Sequence, residues 1–483
     1  MASRGLLVVS PGPFEEKLPV WRRSPRSAHQ WHHALVGICL FVSACASPRP
    51  DVQPESDIAS AAGVHDAVTF RTQGDPVHLD GPEVPDLTIS DAVRRALSAD
   101  PGIQIALSQV RVALAASDQA RLLPNPILTI LFRFPVDGGK TEIDAGLSAD
   151  LLAVLQRNRR TSAADQRLMA ACAGAVRTAL DVVLLVRELY ARAQAVDALI
   201  PLLEARRGAL DQLIKTARAR LDAGEGTQVD VDGLAMQKAL VDLDLEQRRL
   251  ERRESRLGLA RLLGQPKGAA AWRIDGWRDP EQSQIDESRW IETALTRRPE
   301  LQSIVWELAA LGDDLALAGV LGALGLAAGV GAERGQDIGW SLGPSASAGI
   351  PLFDTGQARR DRVTAEIIAK RHELVQASRR VIEEVRVALE SYRYALRVLE
   401  NMRQEVLPLK ERRRRQVEKA FVGDEVDLTA LLVAEQEAKA AQAKRVDLEQ
   451  LAAISLARLE RAVGGAGVAK TLEPVTTRPA GER

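Results

Sequence analysis

Side chains that could do chemistry are few in this 483-residue chain, and they are poorly spaced for it. A metal centre needs imidazole, thiolate or carboxylate ligands gathered on one face. His29, His32, His33, His65 and His78 lie in N-terminal stretches without a folding pattern, and His372 stands alone. Cys39, Cys45 and Cys172 have no zinc spacing and are too few for a disulfide scaffold. Gly329, Gly331 and Gly335 miss the spacing of a dinucleotide loop and have no βαβ unit around them. Glu383 and Glu384 adjoin on a heptad-patterned helix, where carboxylates are solvated rather than set for acid–base work. The basic run Lys410–Arg415 would suit nucleic acid, but 64 Lys and Arg against 65 Asp and Glu leave no bulk positive charge. A solvated or tunnel-lining helix face is the better reading. The chain therefore reads as not an enzyme, with no cofactor, no metal and no nucleic-acid partner.

Cys45 is the residue placed for a covalent reaction. The apolar run from Ala34 to Val42 is too short to span a ~30 Å hydrocarbon core but suits a signal peptide, with Arg22, Arg23 and Arg26 ahead of it. Val42-Ser43-Ala44-Cys45 then resembles the bacterial lipobox. In that signal the Cys is acylated and becomes the mature N-terminus. Residues 1–44 read as the signal peptide, its long Pro-bearing start pointing to a start codon assigned too early. Ala46, rather than Asp, behind the Cys implies passage to the outer membrane. Residues 45–86, rich in Pro, Asp, Ser and Gly, read as a lipid-anchored flexible tether, and 466–483 as a flexible tail.

The remaining chain is positioned by a duplication. Ala96, Leu97 and Pro101 are echoed by Ala294, Leu295 and Pro299. Arg159-Arg160 returns as Arg359-Arg360, Glu225 as Glu425, and Leu263-Gly264 as Val463-Gly464. Landmarks in one order, all about 200 residues apart, mark an internal repeat. The units are 87–266 and 287–465, joined by 267–286. Each predicts a helix, two strand-like segments, a very long helix, a tight turn and a returning helix.

The strand segments alternate. Leu128, Ile130, Phe132 and Phe134 oppose Thr129 and Arg133; Ile143, Ala145, Leu147, Ala149 and Leu151 oppose Glu142, Asp144, Gly146, Ser148 and Asp150. Leu324–Ala332 sets Leu and Val against Gly and Ala, and Leu342, Pro344, Ala346, Ala348 and Ile350 oppose Ser and Gly. Segments of ~9–11 residues with this dyad suit a membrane β-barrel, but four strands cannot close one, so several chains must share it. The helices carry heptads: Val182, Leu189, Val196, Leu203 and Leu210; Leu243, Leu250 and Leu257; and Ile382 through Leu399 in steps of three and four. Pro201 and Pro408 are expected to kink the long helices or start new ones. The fold class is thus mainly α with a small β part, built of long antiparallel helical hairpins.

These features together resemble the TolC-like outer membrane factor family, lipoprotein type, over roughly Leu87 to Gly464. LLPNP at Leu122–Pro126, GPSASAGIPLFDTGQARR at Gly343–Arg360 and the two helix-hairpin turns carry the resemblance. It implies a homotrimer sharing a 12-stranded outer-membrane β-barrel above a periplasmic α-barrel. It implies the outer-membrane channel of a tripartite efflux system, partnered by a periplasmic adaptor and an inner-membrane pump of the resistance-nodulation-division type. The alternatives are a type I secretion channel or a lipid-anchored periplasmic coiled-coil protein.

By that resemblance the turns are the adaptor-contacting tips: Leu221, Gly224 and Glu225 in the first unit, Phe421, Asp424 and Glu425 in the second. Gly224 would let the chain reverse without a Cβ clash. Asp424 stands where the family has glycine, with Gly423 one residue early. Where relatives carry an acidic ring at the periplasmic entrance, this chain has Ala430 and Val433. Asp230 holds the matching place in the first unit and is the candidate pore constriction, three copies of which would favour cations. The exported substrate is not written in the chain, because pump and adaptor largely choose it.

Overall fold

The computed structural model describes residues 49–66, 68–72, 86–134, 136, 141–277, 286–319, 325–334, 339–423 and 425–472. The expected signal peptide and Cys45 lie outside them. The described elements belong almost wholly to one unit, Pro50–Arg483. In chain order they begin with α1 (Pro54–Ala62), β1 (Asp86–Leu87), α2 (Ile89–Ala99), α3 (Pro101–Arg121), β2 (Ile127–Arg133) and β3 (Glu142–Asp150). Then come α4 (Leu151–Leu155), α5 (Arg157–Asp222), α6 (Gln228–Leu262) and β4 (Arg273–Ile274). The second repeat gives α7 (Glu287–Arg297), α8 (Pro299–Leu317), β5 (Leu326–Arg334), β6 (Trp340–Ala348), α9 (Gln357–Asn401), a π-helical turn (Met402–Val406), α10 (Leu407–Val422), α11 (Leu428–Ala462) and α12 (Ala466–Leu472). The helix, two strands, long helix and returning helix recur in the order the repeat predicts.

Local chemistry sets the boundaries. Thr88 Oγ1 accepts from the Asp91 N–H at 3.1 Å to cap α2, and Asp100 Oδ1 accepts from the Gly102 N–H at 2.8 Å to cap α3. Pro101 and Pro299 open α3 and α8, where a missing N–H costs nothing. At 66 residues α5 is roughly 100 Å long. By length and composition it could cross a membrane, but it is the central helix, packed by α3, α6, α8 and α11. Pro201 lies inside it without breaking it. Pro408 has the expected effect in another form. It opens α10 just below the π turn, where the Leu407 N–H reaches back to the Met402 carbonyl, widening the helix ahead of the proline ring.

The strands form one antiparallel sheet ordered β2–β3–β5–β6. Pairing of Phe132 with Ile143, Leu147 with Val330 and Ala332 with Leu342 puts the apolar side chains on one face. The other face carries Arg133, Glu142, Asp144 and the Ser and Gly positions, with Ile127 and Leu131 among them, and Arg133 is held 2.9 Å from Asp144. β5 approaches β3 so closely that a Cβ on Gly329 would stand 2.2 Å from the Leu147 carbonyl oxygen, which explains the glycine. The predicted third strand, Leu324–Ala332, is shifted to Leu326–Arg334.

Two expectations are corrected. The tether contains α1, which packs on α5 and α12 through Ile58, Ala59 and Ala62. Arg111 fixes it from α3, 3.6 Å from Glu55 and with its guanidinium 4.1 Å from the Phe70 ring centre. The tail begins with α12 rather than irregular chain, and Gly465 and Gly467 let it press against the Ser60 and Ala61 carbonyls. Both segments are too short and too rich in small residues to show periodicity, and they fold because they pack on the long helices and on each other. The described start of the connection, residues 267–277, is also tied down: β4 pairs parallel with β1, Trp272 is buried, and Arg256 donates to the Ala270 and Trp272 carbonyls at 2.8 Å each.

Candidate functional site

The first notable surface is the sheet itself. Leu128, Ile130, Phe132, Leu147, Val330 and Leu342 are all exposed, 46–72% each, so nothing among the described residues covers the apolar face. An antiparallel sheet in water buries one face. This one has an apolar face turned outward, a polar face opposite, and unpaired outer strands β2 and β6. Such edges are a liability unless another strand pairs with them or the sheet closes.

The helices repeat this openness. In the tip-proximal half the contacts order them α6, α5, α11, then α9 with α10; in the sheet-proximal half, α3, α5, α8, α9. Apolar cores lie between neighbours: Val196, Ile200, Leu203, Leu210 and Leu213 against Val241 and Leu245 in the first hairpin, and Val385, Leu389 and Tyr392 with Leu459 in the second. The heptad Leu243, Leu250 and Leu257 is not part of the hairpin core, because its side chains point away from α5 and are 69%, 60% and 42% exposed. The true hairpin contacts are Val231, Val241, Leu245 and Leu259, on the opposite face. The same periodicity therefore marks a second seam, which a single sequence cannot tell from the first.

The tips close both hairpins. In the first, Gly224 sits at φ 76°, a left-handed conformation that spares a Cβ clash, and the Glu225 N–H donates to the Arg220 carbonyl at 2.8 Å. In the second, the Glu425 N–H donates to the Ala420 carbonyl at 2.9 Å, the same closure. Gly423 has φ −85°, matching Ala223 at −79°, so it is not the reversing residue; Asp424 lies outside the described residues. Leu221 and Phe421 are half-buried at equivalent places, with Glu225, Val422 and Glu425 exposed. Arg220 reaches across to Asp427 at 3.2 Å, joining the tips, while Asp427 caps α11 by accepting from the Ala430 N–H at 3.0 Å.

Asp230 has a local task as well. It forms a capping box with Thr227, accepting from the Thr227 hydroxyl at 2.7 Å and its N–H at 3.2 Å. The Thr227 hydroxyl and N–H hold its carboxyl below the usual range, so it carries full charge at neutral pH. Ala430 is half-buried and Val433 is exposed on the matching helix.

One buried charge cluster escaped sequence reading. Arg298, at the start of α8, donates to Glu300 at 3.2 Å, to Glu384 on α9 at 2.5 Å and to the Ala462 carbonyl on α11 at 3.3 Å. Arg461 of α11 contacts Glu300 and stands 2.7 Å from Asp181 of α5. Burial opposes ionisation of Glu300, but Arg298 and Arg461 outweigh it and hold the carboxyl at about 2. The residues lie on four elements, and only the fold brings them together.

No protein-family model and no curated protein matches the chain. Solved structures do. The outer-membrane channel OprN is 18% identical, with a TM-score of 0.64 covering 88% of this chain and 100% of that one. The outer membrane protein VceC from Vibrio cholerae is 17% identical, with a TM-score of 0.63 over 78% of this chain and 96% of that one. The open-state MtrE channel of Neisseria gonorrhoeae is 15% identical, with a TM-score of 0.61 over 87% and 98%. The chain is thus a repeated helical-hairpin protein carrying a four-stranded antiparallel sheet with an exposed apolar face. Its fold is that of the TolC-like outer-membrane channels, as the sequence resemblance implies.

Proposed function

We propose that the protein is the outer-membrane channel of a tripartite efflux system. Three copies pair β2 of one chain with β6 of the next, close a 12-stranded barrel, and continue it as a helical tunnel. The observation that carries this reading is the uncovered apolar sheet with two free edges, on the same chain as a helical layer that is also open at both sides. A soluble sheet would bury that face, whereas a barrel needs it turned to lipid. Acylation of Cys45 anchors the chain in the outer membrane. The tips at Leu221, Gly224, Glu225, Phe421, Asp424 and Glu425 meet a periplasmic adaptor, which couples the channel to a resistance-nodulation-division pump. Asp230 supplies a ring of charge near the entrance.

Purified protein in planar lipid bilayers tests the proposal. Discrete current steps that favour cations are expected, with the preference weakened in Asp230→Asn. A protein found in outer-membrane fractions that gives no steps would overturn the channel reading in favour of a lipid-anchored structural role.

A further inference from the structure

The apolar face of the sheet ends in a charge. Cross-strand pairing sets Phe132 against Ile143, Ile143 against Arg334 and Arg334 against Trp340, so these residues form one row on one face. The rows beneath it on that face, such as Leu128, Leu147, Val330 and Pro344, are uncharged. Among the described strand residues, Arg334 is the one charged side chain on this face.

Strand geometry fixes the height of the row. Both hairpin turns follow directly after it, while α3, α4, α8 and α9 lead into or out of the strands at the opposite end. The nine residues of β5 run from Leu326 to Arg334. At ~3.4 Å per step and a tilt of ~40°, they rise roughly 20 Å. Arg334 therefore stands at the rim of an apolar band ~25 Å tall, on the side away from the helices. It is exposed, as are Trp340 and Phe132. Among the described residues its guanidinium has no hydrogen bond or ion pair. Arg133 gives the contrast: on the opposite face, at nearly the same height, it lies 3.7 Å from Glu142 and 2.9 Å from Asp144.

A cation on the lipid side of a barrel is costly at the midplane and cheap at the interface. Aromatic side chains such as Phe132 and Trp340 favour the same interfacial level. With no carboxylate to pair, the planar fork of guanidinium donors matches a phosphate. If the helices stand in the periplasm, this rim meets the outer leaflet, whose anionic headgroups in a Gram-negative outer membrane are the phosphorylated glucosamines of lipid A. We propose that Arg334 and its row form a binding site for lipid A. The guanidinium takes a phosphate, Phe132 and Trp340 flank the headgroup, and the uncharged rows beneath take the acyl chains. The inference rests on the barrel proposed above and adds a lipid ligand at its outer rim; three copies supply three such sites.

Lipid binding tests it. Delipidated full-length protein in mild detergent is mixed with bis-phosphorylated lipid A, and retained adducts are measured by native mass spectrometry. Adducts are expected on the wild type, with affinity about tenfold lower in Arg334→Gln. Arg334→Lys should recover part of the loss, because an ammonium keeps the charge without the fork. Arg133→Gln, on the other face, should bind as the wild type does. Lipid A stripped of both phosphates should bind the wild type as weakly as intact lipid A binds Arg334→Gln. Undiminished binding by Arg334→Gln in a particle of unchanged chain number, or equal binding of the stripped lipid by the wild type, would overturn the site. A wild-type protein that inserts into liposomes yet retains no lipid A would overturn the site and leave the barrel standing. Failure to insert into liposomes at all would refute the barrel, and the site with it.

Discussion

The charge cluster around Glu300 makes a quantitative prediction. Its carboxyl is held at about 2 against an ordinary 4.5, because Arg298 and Arg461 favour the ionised form more than burial opposes it. At roughly 1.4 kcal/mol per pKa unit, that is about 3 kcal/mol of stability. The sign follows from a depressed carboxylate: the contribution is full above the unfolded value of 4.5 and is lost as pH falls toward 2. A second route gives a similar size. Arg298 and Arg461 have side chains only 6% and 10% exposed, and removing the partner of a buried ion pair costs about 3–5 kcal/mol. Glu300→Gln keeps the shape and removes the charge. Denaturant unfolding followed by circular dichroism should show the variant less stable by about 3 kcal/mol at pH 7, with the gap closing between pH 4.5 and pH 2. A gap that is absent at pH 7, or that persists unchanged at pH 2.5, would refute the argument.

Gly329→Val should abolish sheet pairing, since even a Cβ there would meet the Leu147 carbonyl at 2.2 Å; loss of heat-modifiable mobility in outer-membrane fractions checks it. Asp427→Ala removes both the α11 cap and the bond to Arg220, and should cost about 1 kcal/mol while loosening the tips. Increased labelling of a cysteine placed at Val422 would report that loosening, and unchanged labelling would contradict it. Cys45→Ser should yield a protein without the diacyl mass on its mature N-terminus, as intact mass spectrometry would show.

The helices and strands were legible because their patterns are long. Period two over β2 and β3, heptads over α5 and α9, and landmarks repeated at one offset each sum many weak preferences into one reading. What escaped has a common cause. α1 and α12 are short, and each is stabilised by the helices it packs on rather than by its own pattern. Leu243, Leu250 and Leu257 were visible as a heptad, but a heptad says that a seam exists and not which helix fills it. Arg298 and Glu300 are far in sequence from Glu384 and Arg461, all on helices rich in charge, so nothing local marks them as one cluster. Asp230 was visible as an acid near a turn; its capping role follows from Thr227 three residues earlier, the spacing of a capping box.

The open sheet and the open helical layer are proposed to be closed by copies of the same chain. Native mass spectrometry of the full-length protein, extracted from outer membranes in mild detergent, tests this most directly. Three chains per particle are predicted. A monomer, or a particle whose chain number is not three, would rule out the shared barrel and tunnel.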